Sequence, residues 1–246
     1  MNPAFLAHSP NFPLWTTLAL GFVLGLRHAL DADHLAAVST FVSEEKQLWR
    51  SSLVGVFWGI GHTAALLVFG LLIALFRLTV NARMSQVLEF LVGCMLVFLG
   101  ANVLLRLFKG QAVHVHAHEH DGVPHTHLHF HTQASEHTHH HQVLRVGGRP
   151  FIVGVVHGLA GTAAVMLLVV GAIPSLLLAL GYILIFGLGT IGGMMAMSLL
   201  MGVPLALAAR RATLLERGIR LVAGLFSLGF GIFLAWDVGL IQTLLD

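Results

Sequence analysis

The chain has 246 residues, of which 57% are apolar and only 10% charged, with a mean hydropathy of +0.86 and a formal net charge of +2. Soluble domains carry about 25% charged residues, so this composition excludes a water-soluble globular protein and calls for an integral membrane one embedded in a lipid bilayer. The Lys and Arg residues are scattered at the ends of apolar blocks and form no basic groove, so no nucleic-acid partner is expected.

Met1 to Pro13 has no charged side chain and lacks the basic start of a secretory signal, so the first apolar block is expected to be a retained span. The hydrophobicity comes in long blocks, which predicts closed helices in preference to a barrel. The first span is predicted over Leu14 to about Val42, followed by a polar turn, Ser43 to Arg50, with Trp49 at the interface. Ser51–Phe76 is the second predicted span, Arg77 to Arg83 a short turn, and Met84 to about Phe108 the third span, with Glu89 near its start at the interface. The single cysteine, Cys94, excludes an intramolecular disulfide and is read as a small packing residue.

Residues 109–150 differ in composition. Twelve of the seventeen histidines fall between His114 and His141, many alternating with other residues, as in His114-Val115-His116-Ala117-His118-Glu119-His120. The run shows no packing pattern and is expected to be mobile, water-exposed and able to capture a transition metal through neutral imidazoles. It cannot be the selective site, because a flexible His tract accepts Cu²⁺, Zn²⁺, Ni²⁺ and Co²⁺ in their usual affinity order.

Phe151–Ile173 is the fourth predicted span, with His157 near its start and Thr162 beyond it, and Pro174 closes a short turn. Ser175 to about Met201 is the fifth, rich in glycine, with Met194, Met195 and Met197 read as packing residues that also offer thioether sulfur. Arg210-Arg211 through Arg220 reads as a basic loop and Leu221–Leu240 as the last span. The expected fold class is therefore all-α: a polytopic membrane helical bundle of about six transmembrane helices. Residues 1–108 would form a first three-helix half, 109–150 a His-rich cytoplasmic loop and 151–246 a second three-helix half.

Six spans permit an orientation test. With the N-terminus outside, the cytoplasmic side holds Lys46, Arg50, Arg106, Lys109, Arg145, Arg149, Arg210, Arg211, Arg217 and Arg220, and the opposite side holds only Arg77 and Arg83. The excess of basic residues favours both termini outside and the His-rich loop in the cytoplasm. An odd number of spans per half makes any structural repeat inverted, a 3+3 arrangement that places a substrate site near the midplane. Gly61-His62-Thr63-Ala64-Ala65 and Gly161-Thr162-Ala163-Ala164-Val165 are a faint echo of such a repeat.

Within the first span lies Arg27-His28-Ala29-Leu30-Asp31-Ala32-Asp33-His34. Ionisable residues at membrane depth are costly and mark functional sites by default. On a continuous helix, His28, Asp31 and His34 share one face and Asp33 points roughly away from it. Arg27, one turn before Asp31, is expected to pair with it. Such groups near a helix end are often merely interfacial, but four in seven residues with apolar sequence on both sides favour a binding site. Nitrogen with carboxylate oxygen suits Ni²⁺, Co²⁺ or Zn²⁺ better than Ca²⁺ or Mg²⁺.

His28, four residues, then Asp33-His34 resembles the signature of the nickel/cobalt transporter family, whose second hallmark is similar to Gly61-His62-Thr63 here. Longer members carry an acidic, Thr-containing motif and an Asp-rich one; the counterparts here are His157-Gly158-Leu159-Ala160-Gly161-Thr162 and Gly192-Gly193-Met194-Met195, without a carboxylate. The resemblance is thus to a short, divergent branch, urease-accessory-like or a NicO-type permease of the bacterial inner membrane. It implies a transporter for Ni²⁺ or Co²⁺ as substrate, with no further cofactor. His28, Asp33 and His34 would be the core of its site, and Asp31, His62 and His157 further ligands or their supports. A cytoplasmic metallochaperone is an expected partner. No Walker-type loop is present, so the chain is not itself an ATPase. The rival readings are a membrane metal sensor or metalloenzyme assembly factor, and an intramembrane zinc hydrolase. The hydrolase lacks the His-Glu-x-x-His pattern and a Ser or Cys nucleophile beside a base.

Overall fold

The computed structural model describes residues 14–45, 47–76, 82–109, 115–120, 123–128, 142–159, 175–211 and 213–238. They form seven helices: α1 Leu14–His28, α2 Ala32–Glu44, α3 Leu48–Phe76, α4 Ala82–Phe108, α5 Gln142–Gly158, α6 Leu176–Arg211 and α7 Thr213–Asp237. A two-stranded antiparallel hairpin, β1 Val115–His120 and β2 Val123–Leu128, lies between α4 and α5 in sequence. Among the described residues, four stretches are long and apolar enough to cross a membrane: Leu48–Ile73, Arg83–Phe108, Leu176–Leu207 and Leu214–Asp237. The protein is an all-α integral membrane protein with these four candidate spans.

Three boundaries differ from the sequence expectation. The predicted first span is two helices, because the chain leaves α1 at His28 and re-enters a helix at Ala32 with Asp31 in extended N-cap geometry. Two carboxylates at the start of α2 favour a new helix N-terminus there, where the backbone partial charge is positive. The fourth helix starts at Gln142, earlier than expected, so His157 lies near its C-terminal end; Thr162 lies outside the described residues. The basic segment at 210–220 is no loop but the end of α6 and the start of α7, where Arg220 Nη2 meets Glu216 Oε1 at 2.6 Å.

Small residues set the packing. Gly21 of α1 lies on the Tyr182 ring of α6, Gly25 on the Phe186 carbonyl and Gly193 of α6 on Ala29, so α1 and α6 run parallel in close contact. Gly147 of α5 meets the Phe57 ring of α3, Gly154 the Trp58 carbonyl and Gly158 the His62 carbonyl, which makes α5 and α3 the same kind of pair. Gly55 against Met194 and Gly187 against Thr63 fix α3 antiparallel to α6. Gly93 with Gly231 and Gly100 with Gly224 fix α4 antiparallel to α7. Helix α2 touches α3, α4, α6 and α7 and ties the two groups together. Its buried face, including Ala36, Ala37, Val38 and Val42, joins Val54, Trp58, Leu96 and Met194 in the main apolar core. Met194 is therefore a packing residue. Cys94, by contrast, is exposed on α4 and packs no core.

These directions gather the end of α2, the start of α3, the end of α4, the start of α5, the end of α6 and the start of α7 at one end of the bundle. There Arg106 Nη1 of α4 reaches Glu44 of α2 at 3.4 Å. Outward-facing positions are apolar along the spans, including Leu72, Leu91, Phe98, Leu188, Leu200, Val222 and Phe233, as a lipid-facing surface demands.

The expected disorder of the His-rich segment needs correction over its first part. The hairpin pairs His116 with His127 and His118 with His125 across the strands. Asp121-Gly122, which separates the strands in sequence, is a dipeptide that two-residue hairpin loops favour.

A methyl group at Gly154 would collide with the Trp58 carbonyl, whereas one at Gly148 on the same helix would meet nothing within 4 Å. Gly154→Ala should therefore destabilise the bundle by about 1–3 kcal/mol, as overpacking does. Gly148→Ala should match or exceed the parent, since alanine costs less than glycine in a helix. Thermal unfolding of the two variants in detergent checks the contrast.

Candidate metal site

The break between α1 and α2 delivers His28 from the last turn of one helix and Asp33 and His34 from the first turn of the next. His62 comes from α3 and His157 from α5. The four histidines are buried, at 7%, 0%, 0% and 2% relative exposure for His28, His34, His62 and His157. His62 lies about 21 Å from one end of its apolar span and about 16 Å from the other at 1.5 Å per residue, so the cluster sits at mid-depth.

Two glycines explain how rings from α3 and α5 reach one cavity. Gly61, beside His62, accepts the α5 backbone at Phe151, and Gly158, beside His157, accepts the α3 backbone at His62. Each histidine is flanked by the residue that lets the other's helix approach. The ring centroids of His34 lie 4.4 Å from His28 and 4.2 Å from His157, and those of His28 and His62 are 5.0 Å apart.

Hydrogen bonds assign the ring nitrogens. His28 Nδ1–H donates to Asp31 Oδ2 at 2.7 Å, which leaves the His28 Nε2 lone pair facing His62 Nε2 at 3.2 Å. His157 Nε2–H donates to Asp33 Oδ2 at 2.8 Å. The other Asp33 oxygen, Oδ1, accepts the His34 backbone N–H at 2.9 Å and faces His34 Nδ1 at 3.1 Å. Among the described residues, His34 Nε2, His62 Nδ1 and His157 Nδ1 are buried with no hydrogen-bond partner. Each such atom costs about 1–3 kcal/mol unless something binds it.

A divalent cation fits that requirement. Nitrogen ligands about 2.1 Å from a metal lie about 3.0–3.4 Å apart, which the 3.2 Å approach of His28 and His62 already matches. Two three-residue groups place ligand atoms within 4.8 Å of one another: His28, His34 and His62, and Asp33, His34 and His157. Nitrogen-rich ligands with one carboxylate suit borderline transition metals and not Ca²⁺ or Mg²⁺.

The family model described as NicO, high-affinity nickel-transport protein, matches residues 14–245 of this chain. The chain belongs to this family. It is 41% identical over 242 residues to urease accessory protein UreH of Bacillus sp. (strain TB-90), covering 94% of this chain and 95% of that one. It is also 36% identical over 70 residues to the high-affinity nickel transport protein of Cupriavidus necator, covering 28% and 20% of the two chains. With the cobalt transport protein NhlF of Rhodococcus rhodochrous it shares 40% identity over 57 residues, covering 23% and 16%. No solved structure matches.

The NicO site differs from the helical-wheel expectation in two residues. Asp33, expected on the far face, turns inward to bridge His34 and His157, because the break resets the helical phase after His28. Asp31 contacts His28, and its side chain is 47% exposed, so it holds an imidazole and does not enter the ring cluster. Its expected partner, Arg27, is replaced by His28. The six sequence candidates nevertheless form one contiguous assembly. Sequence reasoning missed Trp58, fully buried and stacked 5.5 Å from His34, and Phe186, 5.6 Å from His28. Trp58 was findable, since it precedes His62 by four residues and so shares its helix face.

Removing the Asp31 carboxylate frees His28 to change tautomer and ring orientation while leaving the cavity intact. Asp31→Asn should therefore lower Ni²⁺ or Co²⁺ affinity about 10–100-fold, the usual effect of losing a carboxylate behind a metal-binding histidine. Calorimetric titration of the purified protein against either ion measures it.

Proposed function

We propose that this NicO chain is a permease for a divalent transition-metal cation, Ni²⁺ or Co²⁺, bound in transit by His28, Asp33, His34, His62 and His157, with Asp31 supporting His28. The observation that carries the reading is the set of buried, unpartnered imidazole nitrogens at mid-depth of an apolar bundle. A cation supplies the missing partner, and the carboxylates offset its charge. The names of the relatives, a nickel and a cobalt transport protein among them, agree with that chemistry.

Helix pairing supports a 3+3 inverted repeat in which α1 with α2, α3 and α4 correspond to the helix begun by α5, then α6 and α7. Exchanging the halves maps the α1–α6 contact onto α5–α3 and turns the antiparallel pairs α3–α6 and α4–α7 into themselves. Glycine spacings repeat as well: Gly21 and Gly25 in α1 match Gly154 and Gly158 in α5, and Gly93 and Gly100 in α4 match Gly224 and Gly231 in α7. On this reading the broken α1–α2 unit is one crossing and the unit that α5 begins is another, for six in all. Transporters built this way carry substrate near the midplane between halves.

The basic residues Arg50, Arg106, Lys109 and Arg149 sit on elements gathered at one end of the bundle, which supports a cytoplasmic location for that end and for the His-rich loop, with both termini outside. The loop would collect metal there or exchange it with a cytoplasmic metallochaperone. A second reading, a metalloenzyme assembly factor, draws on the relative named as a urease accessory protein.

Uptake of isotopic nickel or cobalt into vesicles tests both. His28→Ala should reduce flux to the background of empty vesicles, while deletion of residues 114–141 should leave most of it. Equal flux in the parent and His28→Ala overturns transport at this site. Acidification should slow uptake, because protons compete for imidazole and carboxylate ligands.

A further inference from the structure

The two ligand groups share His34 and differ in their other members. His62 and His157 ring centroids are 6.3 Å apart, and no group within 4.8 Å includes both. His34 belongs to each. Its Nδ1 is turned to Asp33 and its Nε2 is buried without a partner among the described residues, so the ring offers a nitrogen on either side.

The surroundings separate the two groups along the bundle. The His28 ring lies against Phe186, whose neighbour Gly187 packs on Thr63 of α3. The His34 and His157 rings lie against Trp58, at 5.5 and 5.6 Å. From Trp58 to Thr63 along α3 is five residues, or about 7.5 Å of helix rise. One group thus sits toward the end of the bundle where α3 finishes and the other toward the arginine-bearing end.

Resting on the permease reading above, the geometry points to a two-position relay: the cation is held first by one three-ligand set and then by the other, with His34 a member of both. The positions are His28–His34–His62, supported by Asp31, and Asp33–His34–His157. In the second, the ion takes the places of the protons on His157 Nε2 and His34 Nδ1 that now face Asp33, and each proton moves to the other nitrogen of its own ring, His157 Nδ1 and the His34 Nε2 that the first position releases. Three protein ligands leave coordination places for water, so each position binds without trapping the ion.

The test uses the full chain in detergent with Ni²⁺ or Co²⁺, read by X-ray absorption and equilibrium titration, with flux measured in vesicles. His28→Ala and His62→Ala should each still bind one ion, through a shell with carboxylate oxygen. His157→Ala should still bind one ion, through an imidazole shell without it. None of the three should transport. His34→Ala, and the more conservative His34→Gln, should lose more than about 100-fold in affinity, a larger effect than removal of a supporting residue. If every single substitution abolishes binding alike, or if His34→Gln binds as the parent does, the relay is wrong while the permease reading stands. A parent chain that binds neither ion overturns both.

Discussion

At membrane depth a backbone N–H or C=O has no water to fall back on, so a chain can leave the helix there only where protein or a wet cavity receives the freed groups. The break at residues 29–31 meets that condition. Leu30 N–H donates to the Arg27 carbonyl at 2.9 Å and Asp31 N–H to the His28 carbonyl at 3.1 Å, while Ala29 is buried against Gly193 of α6. The break is affordable only because glycines bring α6 close enough to cover it. Its product is a pair of helix ends facing each other, which an unbroken helix cannot offer. His28 and His34 would lie nine ångströms of helix rise apart, about 1.5 Å for each of six residues, yet their rings are 4.4 Å apart.

The same break settles the electrostatics. Asp33 sits in the first turn of α2, where the helix dipole favours a carboxylate, and from there it accepts hydrogen bonds from two imidazoles. Asp31 caps the helix by position, yet its side chain makes no capping bond and goes to His28 instead. Two carboxylates thus stand behind the imidazole cluster. A divalent cation would find its charge matched and its nitrogen ligands already dry, whereas a monovalent ion would leave one negative charge uncompensated. Hard cations would have too few oxygens.

Most of the membrane elements were legible because long apolar runs admit few alternatives. The starts and ends of α3 and α4 fall within three residues of expectation, and His28, Asp33, His34 and His62 do assemble. The misses share a cause: periodicity describes a helix once it exists, not where it stops. No glycine or proline marks residues 29–31, and the break is written only in Asp31 and Asp33. Treating the stretch as one helix put Asp33 on the wrong face. His157 was placed near the start of a span because apolar sequence begins at Phe151, but Gln142–Pro150 joins the helix ahead of it. In the loop, strict alternation of histidine around Asp121-Gly122 was itself a strand signal, masked by the habit of reading polar repeats as disorder.

Two kinds of histidine therefore serve one chain under opposite constraints. Those of the hairpin are opposed by strand register, His116 to His127 and His118 to His125. The buried set is placed by Gly61, Gly158 and Gly193, where neighbouring backbones press together, so its ring positions are inherited from helix packing. Stability of the bundle and geometry of the site are consequently held in the same few glycine contacts.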